Sequence, residues 1–308
     1  MTKRLLTLLC CLQAFGFAQQ VTVPDYYAAD TVLSARLAAM VRAVGLDKDF
    51  DVGEDGIEQI SLAVIDLNGP APRLGGVHAE NFIYPASVYK MYVAAEVLRQ
   101  ISEGKYFLSG SYIARAPNVV DRSRELAHDP RPLLNEGDTV TVGYLLDLMI
   151  TRSDNSAANC LIDLATRDSI NALIHRYNWQ GSEVTRKFLK RKFEDPGYAE
   201  IRGTETCALH AADFMYRIYT NQLANPWVSQ QMKSLLGRQL DTTKLCAGLP
   251  RTAMFYHKTG WFSYWTNDVG IVDDGTTRYI VSCFVPLTEE LAGPKMKELS
   301  RQIYELLR

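Results

Sequence analysis

The stretch Tyr84-Pro85-Ala86-Ser87-Val88-Tyr89-Lys90-Met91 sets a serine hydroxyl one helical turn before a lysine amine. A hydroxyl beside a base can attack a carbonyl and form a covalent intermediate. Pro85 suits the first turn of a helix, so Ser87 falls in that turn and Lys90 lies one turn on, on the same face. The unsatisfied N–H groups and positive dipole end of a helix start favour an oxyanion formed at Ser87. Lysine works as a base only if its pKa falls from about 10.4, which takes burial or a neighbouring cation. Taken alone, the same residues describe a capped helix start carrying a surface lysine. Ser-x-x-Lys recurs by chance in a chain of this length.

Two further stretches carry chemistry. In M-I-T-R-S-D-N-S-A-A-N-C, residues 149–160, the triplet Ser153-Asp154-Asn155 follows one predicted helix and opens the next. It reads either as a cluster of N-cap residues or as a proton-relaying hydroxyl beside a substrate-holding amide. In Y-H-K-T-G-W, residues 256–261, Lys258 offers positive charge and Thr259 a hydroxyl to a substrate carboxylate. Gly260 lets a substrate backbone approach the strand closely. The plain alternative is a strand end followed by a turn glycine.

Ser-x-x-Lys, Ser-Asp-Asn and Lys-Thr-Gly, in this order on a helix start, a helix–helix turn and a strand, resemble the class A β-lactamase-like family of serine penicillin-recognising enzymes. The segments L-L-D-L-M-I-T-R-S-D-N-S-A-A-N, C-A-G-L-P and N-D-V-G-I-V extend the likeness over roughly Asp30 to Arg308. The resemblance implies that Ser87 is acylated and that Lys90 is its base partner. It makes Ser153 the proton shuttle to the leaving amine and Asn155 the ligand of the acyl side-chain amide. Lys258 and Thr259 then face the substrate carboxylate, and the backbone N–H groups of Ser87 and Trp261 form the oxyanion hole. The implied reaction is hydrolysis of β-lactam rings through an acyl-enzyme. The alternatives are a D,D-peptidase acting on peptidoglycan stem peptides and a non-catalytic β-lactam or muropeptide binder. A pure binder has no need of Ser87, Lys90, Ser153 and Lys258 together.

The sequence departs from the family at two places. Family members carry Glu-x-x-x-Asn on an omega-shaped loop, where the glutamate activates the deacylating water. In V-T-R-K-F-L-K-R-K-F-E-D-P-G-Y-A-E, residues 184–200, Glu194 follows an aromatic as the family acid does. Tyr198, however, stands in place of the asparagine, and the segment before the acid is longer. Glu194 is read as the deacylation acid, against a solvated loop acid, and the basic run 186–192 as a solvated face. The arginine that often follows the third motif is missing too, and Thr266 precedes Asn267-Asp268. Lys244, ahead of the A-G-L-P turn, is the candidate replacement cation, against an exposed lysine.

These groups need elements to hold them. Apolar spacing predicts helices over Asp30–Val44, Ala86–Ile101, Val142–Thr151, Ser156–Ala165, Ser169–Tyr177, Ala208–Tyr219 and Lys295–Leu307. Strands are expected over Ile60–Leu67, within Leu74–Phe82, and over Ala253–Lys258, Val269–Val272 and Tyr279–Val285. Strands at both ends with helices between imply a mixed α/β (α+β) fold. An antiparallel sheet built from both chain ends is flanked by helices, beside an all-helical lobe with a cleft between them. The expected division is a signal peptide over 1–18 and one catalytic domain over 19–308. Within that domain the sheet part is about 30–84 and 226–308, and the helical part about 85–225.

Among 308 residues, 47% are hydrophobic, a globular composition, and the formal charge of −2 argues against a nucleic-acid or anionic-membrane partner. The start, MTKRLLTLLCCLQAFGFAQQ, has basic Lys3 and Arg4, an apolar Leu5–Phe15 and small residues before a cut at Ala18. The expectation is an exported, periplasmic or secreted monomer, with no membrane insertion after cleavage. A lipid anchor on Cys10 or Cys11 would cut the apolar run short. Cys160, Cys207, Cys246 and Cys283 remain, and they permit two disulfides without demanding them. No metal or cofactor is implied.

Overall fold

A computed structural model describes residues 21–53, 56–123, 126, 128–188 and 203–308. From the N-terminal side, β1 (Ala28–Ala29) leads into α1 (Thr31–Ala43), capped by Asp30, whose Oδ1 accepts from Leu33 N at 2.8 Å. The hairpin β2 (Phe50–Asp51) and β3 (Ile57–Glu58) precedes β4 (Ser61–Asp66) and β5 (Arg73–Val77). Next come β6 (Phe82–Ile83), a 3₁₀ turn over Ala86–Tyr89, and α2 (Lys90–Ser102). The helical lobe continues through β7 (Ser111–Ile113), β8 (Thr139–Thr141), α3 (Val142–Thr151), α4 (Asn155–Ala165) and α5 (Arg167–Arg176). β9 (Thr206–Cys207), α6 (Ala208–Tyr219) and α7 (Pro226–Leu236) lead back to β10 (Met254–Phe262), β11 (Trp265–Asp273), β12 (Arg278–Val285) and α8 (Glu289–Leu307).

The sheet order is β1-β5-β4-β12-β11-β10. Every neighbouring pair is antiparallel except β1–β5, which is parallel. β4 from the first part of the chain thus sits beside β12 from the last, with Ser61 opposite Phe284 and Asp66 opposite Tyr279. All six residues of β4 are buried because both sheet faces are covered, which is why the strand reads as a continuous apolar run. Leu62 and Val64 pack with α1 and α8 through Leu37, Val41, Met296 and Leu299. Ala63 and Ile65 point the other way, into the larger core shared with the helical lobe.

β10 and β11 run longer than expected, to Phe262 and from Trp265, and three helical elements differ in kind or start. The helix over Ala86–Ile101 is divided into the 3₁₀ turn and α2. α8 begins at Glu289, ahead of the expected Lys295, and takes Pro294 inside it. Glu289 and Glu290 in its first turn suit the helix dipole. α7 was not expected, although Asn225 caps it through Val228 N at 3.0 Å and Pro226 opens it. It packs on α2, α3, α6 and β10, touching both the lobe and the sheet.

Candidate active site

The fold brings the three stretches together. Ser87 lies in the 3₁₀ turn, directly after Ala86, whose φ is +47°. Ser153, in the turn between α3 and α4, has φ +64°. Left-handed backbone in non-glycine residues costs of order 1–3 kcal/mol and persists only where the surroundings fix it. Both points bear on one amine. Lys90 Nζ lies 2.9 Å from Ser87 Oγ, 2.5 Å from Ser153 O, 3.2 Å from Ser153 Oγ and 2.8 Å from Asn155 Oδ1. A carbonyl and an amide oxygen only accept, so Ser153 O and Asn155 Oδ1 take up two N–H donors of the amine. Both serine hydroxyls also lie within hydrogen-bond distance of the amine.

Asn155 is held by the same logic. Its Nδ2 donates to Asp121 Oδ1 at 2.8 Å, and a carboxylate only accepts, which turns Oδ1 toward Lys90. Asp121 Oδ2 also accepts the N–H groups of Asn155 and Ser156, each at 2.8 Å. Asp154 takes no part in that contact. It caps α4 through Ala157 N at 2.7 Å and accepts from Arg152 at 2.8 Å. Burial pushes its carboxyl upward, against the Arg152 charge. Arg152 also donates to the carbonyls of Arg131 and Pro132, and so ties the turn to the preceding loop.

Lys258 comes from β10 and is fully buried, as is Lys90. Its Nζ donates to Ser153 Oγ at 3.0 Å and to Thr259 O at 2.7 Å. Two amines therefore share one hydroxyl, so Lys90 has both the burial and the neighbouring cation that the sequence argument required. Gly260 explains how strand and turn come so close. A Cβ there would stand 2.7 Å from Pro85 O and Ser87 N and 2.8 Å from Val88 N. Only glycine fits, and the strand that carries Thr259 and Trp261 lies against the Ser87 amide. The Trp261 side chain is exposed.

Lys244 is placed differently from either reading of it. It is fully buried rather than exposed, and its Nζ donates to Asp241 at 2.6 Å and Glu289 at 2.5 Å. Burial disfavours its charge, but the two carboxylates outweigh that and raise its pKa. Its positive charge is already matched by the protein's own carboxylates. The next residue, Leu245, links it to the site: its N–H donates to Asp268 Oδ2 at 3.1 Å, across from Thr259. Thr266 is buried, with Oγ1 on Leu287 O at 2.9 Å.

Glu194 and Tyr198 lie outside the described residues, as do residues 1–18, the expected signal peptide. The described part of the 184–200 stretch contributes Phe188, whose ring centroid is 4.3 Å from Lys90 Nζ. The ring stacks on Tyr89 at 4.6 Å and 13°. Asn159 holds its backbone from both sides, accepting from Phe188 N at 2.8 Å and donating to Phe188 O at 3.3 Å. Lys187 pairs with Asp163 of α4, so the basic run is partly engaged rather than simply solvated. Sequence reasoning gave no role to Asp121, Asn159 or Phe188. Asn159 stood within the quoted second motif, and its spacing of one turn from Asn155 was the available signal. None of the four described cysteines forms a disulfide; Cys160, Cys207 and Cys283 are buried and Cys246 half-buried. Among the described residues no cluster of three or more metal-ligating side chains forms, and no helix is long and apolar enough to cross a membrane.

The chain matches the model of the β-lactamase enzyme family over residues 46–307. It therefore belongs to that family, a group of serine hydrolases that also takes in penicillin-binding relatives. A β-lactamase of Streptomyces albus G is 26% identical over 248 residues, covering 77% of each chain. Among solved structures, PBP-A superposes with a TM-score of 0.74 at 19% identity, covering 92% of this chain and 98% of its own. A β-lactamase from Sphaerobacter thermophilus gives 0.74 at 21% identity, covering 88% and 97%. The last two likenesses are of fold.

Proposed function

We propose that the protein opens β-lactam rings by forming an acyl-enzyme on Ser87. The observation that carries this reading is the shared amine: Lys90 Nζ stands 2.9 Å from Ser87 Oγ while two of its donors are taken by obligate acceptors. At that distance the lone pair of the neutral amine can receive the hydroxyl proton. Ser87 Oγ attacks the lactam carbonyl and its proton passes to Lys90. The oxyanion is received by the Ser87 and Trp261 N–H groups. Breaking the C–N bond requires a proton on the leaving nitrogen, and Ser153 Oγ supplies it, re-protonated from Lys90 at 3.2 Å. Lys258, with Thr259, balances the substrate carboxylate and keeps positive potential on Ser153. Asn155 holds the acyl side-chain amide.

Intact-mass measurement after mixing with benzylpenicillin should show one added drug mass on the wild type and none on Ser87→Ala. Lack of both adduct and drug hydrolysis would sink the reading. A time course on Glu194→Gln tests the deacylation role that family resemblance gives Glu194. A second reading, a D,D-peptidase acting on peptidoglycan stem peptides, is favoured by the phenyl ring of Phe188 against Lys90. A variant of PBP-A, a protein of similar fold, has been captured as an acyl-enzyme with penicillin G. The reading includes export, on the basic and apolar N-terminal segment.

A further inference from the structure

In the proposed reaction Ser153 both steadies Lys90 and hands a proton to the departing nitrogen. Its carbonyl accepts from Lys90, and its hydroxyl lies 3.2 Å from Lys90 Nζ and 3.0 Å from Lys258 Nζ. One backbone conformation serves both contacts, the left-handed one with φ +64°. A residue with a Cβ adopts it seldom and keeps it only where the surroundings fix it. The turn's own backbone bonds are long: Leu148 O receives Arg152 N at 3.3 Å and Asp154 N at 3.2 Å.

The stronger hold comes from a buried guanidinium. Arg152 is 3% exposed, and its Nε and Nη2 donate to Asp154 Oδ2 at 3.2 and 2.8 Å. The side chains on either side of Ser153 are thus joined to each other. Nη1 and Nη2 also donate to the carbonyls of Arg131 and Pro132, each at 2.8 Å, and Nη1 lies 3.4 Å from Asp129 Oδ2. Asp129 is paired in turn with Arg131, which reaches Asp147 of α3 and Thr151 Oγ1. Asp147 also takes Arg238, beyond α7. Three guanidinium groups and three carboxylates therefore clamp the turn to the preceding loop, to α3 and to the segment after α7. The planar fork of arginine can meet Asp154 and two carbonyls together, which the point charge of a lysine cannot.

We infer that Arg152 is a positioning residue for the proton that Ser153 delivers to the leaving nitrogen. The inference rests on the acylation proposed above and deepens it. Attack needs Ser87 and Lys90, and Asn155 Oδ1, turned by Asp121, holds that amine independently of the Ser153 turn. Expulsion of the lactam nitrogen needs more. As the C–N bond breaks, the nitrogen takes a proton from Ser153 Oγ, and Lys90 replaces that proton with the one drawn from Ser87. A nitrophenyl ester makes no such demand. Its C–O bond breaks, nitrophenolate leaves with the electron pair, and the Ser87 proton stays on Lys90. Loosening the Ser153 turn should therefore slow acylation by a β-lactam and spare acylation by the ester.

Wild type, Arg152→Ala and Arg152→Lys should be acylated by benzylpenicillin and by the 4-nitrophenyl ester of phenylacetylglycine, which carries the same phenylacetamido group. Quenched intact mass reads the first and nitrophenolate absorbance the second, with Ser87→Ala as background and circular dichroism to certify each fold. Arg152→Ala should lose 10²-fold or more with penicillin, the cost of about 1 Å of misplacement, and stay near wild type with the ester. Arg152→Lys should show the same selective loss, smaller in size. Millimolar guanidinium chloride should restore penicillin acylation of Arg152→Ala, and urea at the same concentration should not. Equal slowing with both substrates would make the residue merely structural, and an unchanged penicillin rate in a folded variant would overturn the inference outright. Either result leaves acylation of Ser87 standing. A wild type that forms no penicillin adduct takes down the acylation reading and this one with it. If Arg152→Ala does not fold, the substrate ratio of Arg152→Lys decides. If the wild type refuses the ester, the guanidinium rescue decides, and its failure overturns the inference.

Discussion

At the scale of single residues, the site is organised around what each group can and cannot donate. Ser153 O, Asn155 Oδ1 and Asp121 only accept, and they leave Lys90 and Asn155 one orientation each. Lys90→Ala removes the base and should slow acylation by penicillin about 10²–10⁴-fold. Stopped-flow or quenched mass spectrometry reads this directly, and an unchanged rate would place the base elsewhere. The three motifs were legible in the sequence because each is a contiguous string whose chemistry is carried by residue type. Phe188 and Asp121 were not, since nothing local says which residue of a long loop meets Lys90. An acid after an aromatic drew attention to Glu194, while the fold threads Phe188 of the same stretch against the amine. Lys244 was identified by position alone; its partners Asp241 and Glu289 come from a turn and from the start of α8.

At the scale of elements, the decisive contact is between a strand and a turn. Gly260 lets β10 come within van der Waals distance of the Ser87 amide, and the space a methyl would fill is already taken by backbone. Gly260→Ala should push strand and turn apart and reduce acylation by 10²-fold or more, by the cost of about 1 Å of misplacement. Tm should fall by only a few degrees. Normal acylation by Gly260→Ala would mean that the approach does not matter. Strands and most helices were predictable from periodicity, with ends off by a residue or more. The 3₁₀ turn ahead of α2 was not, and neither was the left-handed φ of Ala86 at its start, which no propensity favours. α7 was missed although its Asn225-Pro226 start is a plain helix signal.

At the scale of the whole molecule, pH bears on stability through His210 in the core. Burial holds its imidazole down to about 4, against a smaller upward pull from Asp213. Nδ1 shares a hydrogen bond with Ser182 at 2.9 Å, and Nε2 has no hydrogen-bond partner among the described residues. The unfolded chain takes up this proton near 6.5, the folded chain only near 4. The group's contribution is therefore intact above about 6.5 and is lost as pH falls from there to about 4. The loss amounts to about 3 kcal/mol by the time the folded imidazole charges. Tm should decline over that interval in the wild type and less steeply in His210→Gln. Parallel slopes would assign the decline to other groups.

The pairing of β4 with β12 carries a consequence for how the chain reaches its native state. Ser61–Asp66 finds its partner only in Arg278–Val285, after the entire helical lobe has been passed. Closing so long a loop early costs chain entropy that local contacts do not repay, and such non-local topologies fold slowly. Until the last strands arrive, β4 is an apolar ribbon with an open edge. The helical lobe can organise its local turns first. The surface that joins Ser87 on the turn after β6 to Lys258 on β10 forms only when the two ends of the chain meet. Assembly of the site thus requires both ends of the chain, and a chain lacking its last strands has every residue of the first two motifs yet no cleft to put them in.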